Sequence, residues 1–151
     1  MIVPSVLRKT RPAALLLIAA ALGPAACSRK APDRVTVQHI LIAFKGSIPD
    51  GKVTRSVQEA RELAFSLFER ARKGEDFDAL VKQYTDDEYP GIYGMSNLGI
   101  DPDPSRKEYA RNKMVKAFGD VSFGLKVGPI GLAEHDPKDS KYGWHIIKRL
   151  S

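Results

Sequence analysis

From Val35 to Phe44 the chain alternates, with Val35, Val37, His39, Leu41 and Ala43 on one side and Thr36, Gln38, Ile40, Ile42 and Phe44 on the other. The β-branched content and the unbroken Ile40-Leu41-Ile42 run predict a central strand, covered on both faces. Gly46–Thr54, with Pro49-Asp50-Gly51, reads as a loop with a turn. The period then changes. Val57, Ala60, Leu63, Ala64, Leu67, Phe68 and Ala71 recur at helical spacing behind a Ser56-Val57-Gln58-Glu59 capping box, and Gly74 stops the run. A shorter helix from Asp76 to about Thr85 turns Phe77, Leu80, Val81 and Tyr84 inward. Asp86–Ser105, rich in glycine and proline, reads as one long loop, which in a compact domain is usually functional. A third helix is expected over Glu108–Phe118, with Met114 and Phe118 one turn apart and Val121–Leu125 as its continuation. Strands are expected at Gly128–Glu134 and Gly143–Leu150, separated by a turn over Asp136–Tyr142. This order predicts an α+β domain with a small sheet.

The N-terminus follows a different rule. Arg8, Lys9 and Arg11 precede ten apolar residues, Ala13–Leu22. A spanning helix needs about 20, so the run reads as a signal-peptide core. Gly23-Pro24-Ala25-Ala26 then leads to Cys27, the single cysteine. The segment resembles bacterial lipoprotein precursors, although Pro24 stands where leucine is usual. The resemblance implies a signal peptide over 1–26 and acylation of Cys27. The alternative is ordinary cleavage after Ala26, which leaves a free thiol. Polar residues through Arg34 make 27–34 a tether, and 35–151 the domain. The protein is therefore expected in the cell envelope, lipid-anchored to a membrane facing the periplasm. The 125 residues from Cys27 to Ser151 suffice for one core. A lone cysteine forms no intramolecular disulfide. The net charge is +6, but the three N-terminal cations carry half of it, and residues 1–27 hold no Asp or Glu. No basic stripe interleaved with aromatics appears, so nucleic acid is not expected as a partner.

Familiar catalytic patterns are missing. There is no Gly-x-Ser-x-Gly elbow, no cysteine inside the domain, no His-Glu-x-x-His, and no Walker or dinucleotide loop. Neither a metal nor a cofactor is expected. The Asp86-Asp87 pair suits general acid/base work, calcium ligation or a helix cap. His39 and His145 each look like a core histidine when taken singly. Together they sit in strands at opposite ends of the domain that could lie side by side. His135, in a loop, carries no assigned role.

Several fragments now stand in a telling order: Val37-Gln38-His39-Ile40-Leu41, Gly74-Glu75-Asp76-Phe77, Tyr84-Thr85-Asp86-Asp87, Leu98-Gly99, Met114 to Phe118, and Gly143-Trp144-His145-Ile146-Ile147. In that order the chain resembles the parvulin-type peptidyl-prolyl isomerases over residues 34–151. The resemblance implies a four-stranded antiparallel sheet surrounded by about four helices, with His39 and His145 adjacent on central strands. It gives Asp87 the acidic-or-cysteine position of the active site, and Leu98, Met114 and Phe118 the apolar positions that receive the proline ring. Tyr142 stands where other members often carry a small hydroxyl residue. The implied activity is isomerisation of X–Pro bonds in unfolded or partly folded exported proteins. The alternative is a peptide-binding holdase with little turnover. The loop after the first strand offers Lys45 and Lys52 but no arginine doublet, so no phosphate requirement is expected.

Overall fold

The computed structural model describes residues 30–49 and 51–151. The expected signal segment, Cys27 and the first tether residues lie outside the described residues. The chain runs β1 (Arg34–Ile42), α1 (Val57–Arg72), α2 (Phe77–Tyr84), β2 (Ile92–Ser96), β3 (Tyr109–Ala110), α3 (Lys116–Gly124), β4 (Ile130–Ala133) and β5 (Trp144–Arg149). One sheet forms with the order β3-β2-β1-β5-β4. β1 is its centre, antiparallel to β2 with Val37 opposite Tyr93, and antiparallel to β5 with Leu41 opposite His145.

This is the α+β class the hydrophobic pattern predicts, with five strands and three α-helices among the described residues in place of four and about four. The differences lie between residues 86 and 118. Ile92–Ser96, inside the stretch read as loop, is a strand. It is too short, and too broken by Gly94, for an alternating pattern to register. The helix expected over Glu108–Phe118 begins only at Lys116. Glu108 is drawn instead into ion pairs with Arg34 and Arg106, and Tyr109–Ala110 lie parallel beside β2. A single 3₁₀ turn over Arg111–Lys113 follows, so Met114 precedes α3 and does not share a helix with Phe118.

β1 separates two cores. On one side Ile40, Ile42, Trp144 and Ile146 meet Ala60, Ala64 and Leu67 of α1 and Leu80 and Val81 of α2. On the other, Val35, Val37, Met95 and Ile147 meet Phe118 and Phe123 of α3. Both cores follow from the period-2 alternation of β1, whose successive side chains point to opposite faces. α1 is anchored by the expected capping box: Ser56 Oγ accepts from Glu59 N–H at 3.2 Å and Glu59 Oε2 accepts from Ser56 N–H at 2.7 Å.

Candidate active site

β1 keeps β2 as its partner only as far as Gln38. Beyond that point the partner is the segment that leaves α2. His39 N–H donates to the Gly91 carbonyl at 2.9 Å, and Asp86 N–H donates to the Leu41 carbonyl at 2.8 Å. Leu41 N–H donates to Thr85 Oγ1 at 3.1 Å, and Ala43 N–H to Asp86 Oδ2 at 2.8 Å. Asp86 also pairs with Arg55. Asp86 is thus occupied in stitching the segment to the strand, and its neighbour Asp87 is turned toward His39. Gly91 makes the approach possible: it has φ +65°, and a Cβ there would stand 2.7 Å from the His39 carbonyl oxygen.

The result is a hydrogen-bonded row across the sheet. Tyr93 OH donates to Asp87 Oδ2 at 2.8 Å, and His39 Nε2 lies 3.0 Å from the same oxygen. His39 Nδ1 lies 3.3 Å from His145 Nδ1, and the two rings stack at 5.4 Å with 16° between their planes. The histidines meet because Leu41 is opposite His145, which puts His39 on the diagonal of the same face. One proton arrangement satisfies the row. His39 donates from Nε2 to the carboxylate, accepts at Nδ1, and His145 donates from Nδ1. The bare acceptor then falls on His145 Nε2, which is buried and has no hydrogen-bond partner among the described residues. An orphaned acceptor there avoids burying an unpaired N–H.

The electrostatics agree with this arrangement. The hydrogen bond from His39, helped by Tyr93, outweighs partial burial and holds the Asp87 carboxyl far below the usual carboxylate range. Burial, and then the neighbouring His39, push His145 down to about 3, so its imidazole stays neutral. Burial and the Asp87 carboxylate push the Tyr93 phenol up, which keeps it a donor.

Over this row opens a cleft of about 550 Å³. Met114, Val115 and Phe118 form an apolar wall, and Ile48, Pro49 and Tyr142 line it as well. Phe118 meets the His39 ring edge-on at 5.0 Å and lies 5.4 Å from the His145 ring. Tyr142 is held by its carbonyl, which accepts from Ser47 Oγ at 2.8 Å. Next to it Gly143 passes so close to β1 that a Cβ would stand 2.1 Å from the Ile42 carbonyl oxygen. The cleft therefore rests on backbone contacts that admit only glycine.

Of the residues named from sequence, His39, Asp87, His145, Met114 and Phe118 come together around this cleft. Leu98 does not. It lies past the end of β2, 63% exposed, beside Asn97, Gly99 and Ile100. Tyr93, which the sequence reading passed over, occupies the cleft wall next to Asp87. Its one signal was the Gly91-Ile92-Tyr93-Gly94 stretch within the presumed loop, where an aromatic sits between two glycines.

A five-stranded sheet with paired histidines beneath an apolar cleft has the architecture of a parvulin domain. The solution structure of TbPIN1 shares it with a TM-score of 0.58 and 24% identity, over 79% of this chain and 98% of that one. The peptidyl-prolyl isomerase ESS1 from Candida albicans shares it with a TM-score of 0.55 and 21% identity, over 79% of this chain and 63% of that one. The model of the PPIC-type PPIase domain matches residues 25–150, and the chain belongs to that family. Among curated relatives, the chaperone SurA of Pseudomonas fluorescens is 32% identical over 118 residues, 78% of this chain and 23% of its own. The foldase protein PrsA of a Geobacillus species is 31% identical over 115 residues, 76% of this chain and 37% of its own. The chain thus spans well under half the length of either relative.

Proposed function

We propose that this domain is a working peptidyl-prolyl cis–trans isomerase, exported and tethered to a membrane of the cell envelope through a lipid on Cys27, acting on proline-containing segments of unfolded exported proteins. The observation that carries the proposal is the row Tyr93–Asp87–His39–His145 set against the wall of Met114 and Phe118. Isomerisation breaks no bond, and its barrier of about 18–20 kcal/mol comes from amide resonance. Catalysis needs a site that holds the twisted amide better than the planar one. The apolar wall takes the pyrrolidine ring, with the Phe118 ring as a rigid surface and the Met114 thioether as an adaptable one. The carbonyl side then rotates over the polar row. Planarity places negative charge on the amide oxygen, so the fixed Asp87 carboxylate beside it disfavours the planar form and lowers the barrier. The histidines hold that carboxylate in place, the buried His145 staying neutral, and no proton has to move.

The lipid reading rests on Cys27 after a short apolar run, and the envelope reading on the same segment together with relatives named as a chaperone and a foldase. The test is a protease-coupled assay on a proline-containing tetrapeptide. The unsubstituted protein accelerates exchange over background, and Asp87→Ala slows it about ten- to a hundredfold while the circular dichroism spectrum is retained. No acceleration, with aggregation of an unfolded client still suppressed, would select the holdase reading instead. Equal turnover in Asp87→Ala would remove the carboxylate from the mechanism.

A further inference from the structure

The tether enters the domain at a fixed point. Asn97 N–H donates to the Asp33 carbonyl at 2.8 Å, and Asn97 Nδ2 donates to the Pro32 carbonyl at 2.9 Å. The same clasp is braced from behind by Arg111, which donates to Asn97 Oδ1 at 2.8 Å and to Asp120 Oδ1 at 2.6 Å. The residue after the clasp is Leu98, and at 63% it is the most exposed large hydrophobic side chain among the described residues. Its backbone is not loose: Leu98 N–H donates to Asn97 Oδ1 at 2.8 Å. Arg34, at the start of β1, donates to the Asp101 carbonyl at 3.1 Å and pairs with Glu108, so the loop after Leu98 packs against this same end of the strand.

We infer that this end of the molecule, with Leu98 at its tip, is the surface that rests on the lipid bilayer, and that the cleft faces away from it. The inference deepens the lipid-anchor reading and rests on it. From Cys27 to Pro32 there are five residue steps, which span at most about 18 Å even when fully extended. A lipid on Cys27 therefore keeps the Asn97 clasp within that distance of the membrane surface, and Leu98 is its immediate neighbour. β1 sets the height of the cleft. His39 is five residues beyond Arg34 and Leu41 seven, which at ~3.3 Å per residue is about 17 and 23 Å along the strand. Ile48, Asp87 and Tyr142 line the cleft at that far end, while Tyr93, opposite Val37, and Met114, three residues after Arg111, form its side nearer the clasp. The occupant of the Leu98 surface is the interfacial region of the bilayer. Charge does not select it, because Arg34 and Arg106 at this end face the two carboxylates of Glu108 and Asp103. Attachment comes from the short tether and one apolar contact, and orientation comes from where the clasp sits.

The experiment uses the full mature protein in phosphatidylethanolamine–phosphatidylglycerol vesicles, with a nitroxide attached at Leu98→Cys or at Lys141→Cys. Lys141 stands beside Tyr142 at the cleft, with its Nζ 4.9 Å from the Tyr142 ring centre. Collisional relaxation by a water-soluble nickel chelate is expected to be severalfold weaker at position 98 than at position 141. The intact mass of the same samples reports acylation of Cys27. Acylated protein with equal nickel accessibility at the two positions overturns the orientation and leaves the anchor standing. An unmodified Cys27 removes the anchor and the orientation with it.

Discussion

Asp87 shows how one side chain is assembled from several elements. Thr85 and Asp86 fasten the segment to β1, Gly91 lets it lie flat against His39, and Tyr93 arrives from β2 to share the carboxylate with the histidine. Motif order located Asp87, His39 and His145 but could not locate Tyr93, because a contact between β2 and the segment after α2 leaves no periodic trace. Leu98 lies outside the cleft lining, a position the motif leaves open for the related reason that a Leu-Gly pair carries no information about which strand precedes it. The row also has a measurable pH signature. His145 is held at about 3 in the fold against an ordinary 6.5, so below 6.5 the unfolded chain binds a proton that the native chain refuses. Its contribution is complete above pH 6.5 and is lost as pH falls toward 3. Asp87, depressed below its ordinary 3.8, adds a loss of the same sign at still lower pH. Urea unfolding is therefore expected to show about 2 kcal/mol less stability at pH 5 than at pH 7 from His145. His145→Leu removes most of that slope. A slope unchanged in the variant would mean that another group titrates.

At the scale of elements, the strongly periodic pieces were legible and the short ones were not. β1 and α1 announce themselves, the first by alternation and the second by a capping box written into four consecutive residues, Ser56 to Glu59. The cap adjoins Arg55, which pairs with Asp86 at the cleft, but its own bonds run only between Ser56 and Glu59, both outside the cleft lining. Ser56→Ala is expected to cost about 1 kcal/mol in urea unfolding, with isomerase turnover unchanged. A change in turnover would show that α1 transmits its strain to the site. The region from residue 104 to 115 resisted prediction for a physical reason. A helical pattern over Glu108–Phe118 competes there with the pull of Arg34 on Glu108, a partner 74 residues away in sequence. That tertiary ion pair, with the two-residue β3 beside β2, delays the helix until Lys116. Local propensity had no access to either partner.

For the whole molecule, both cores and the cleft are built from residues 34–150, with the tether entering at one end of the sheet. A fragment comprising residues 30–151 is accordingly expected to unfold at the same urea midpoint as the full mature protein and to match its turnover on a soluble tetrapeptide. Under the proposed acylation of Cys27, the full protein sediments with lipid vesicles and the fragment does not. A lowered midpoint would mean that preceding residues contribute to the cores. The fold class was readable because it needs only the order of elements, whereas the closing of the cleft depends on Gly143 lying against Ile42 and on Tyr142 being held by Ser47, both long-range. The central strand carries a last consequence. Ile40 and Ile42 serve the packing beneath the sheet, while His39 and Leu41, one residue away on either side, belong to the cleft above it. Heritable change can therefore act on heat tolerance through one set of positions and on the proposed turnover through the other. A lineage moving to a warmer habitat could rebuild the underside of this domain while the chemistry on top passed through unaltered.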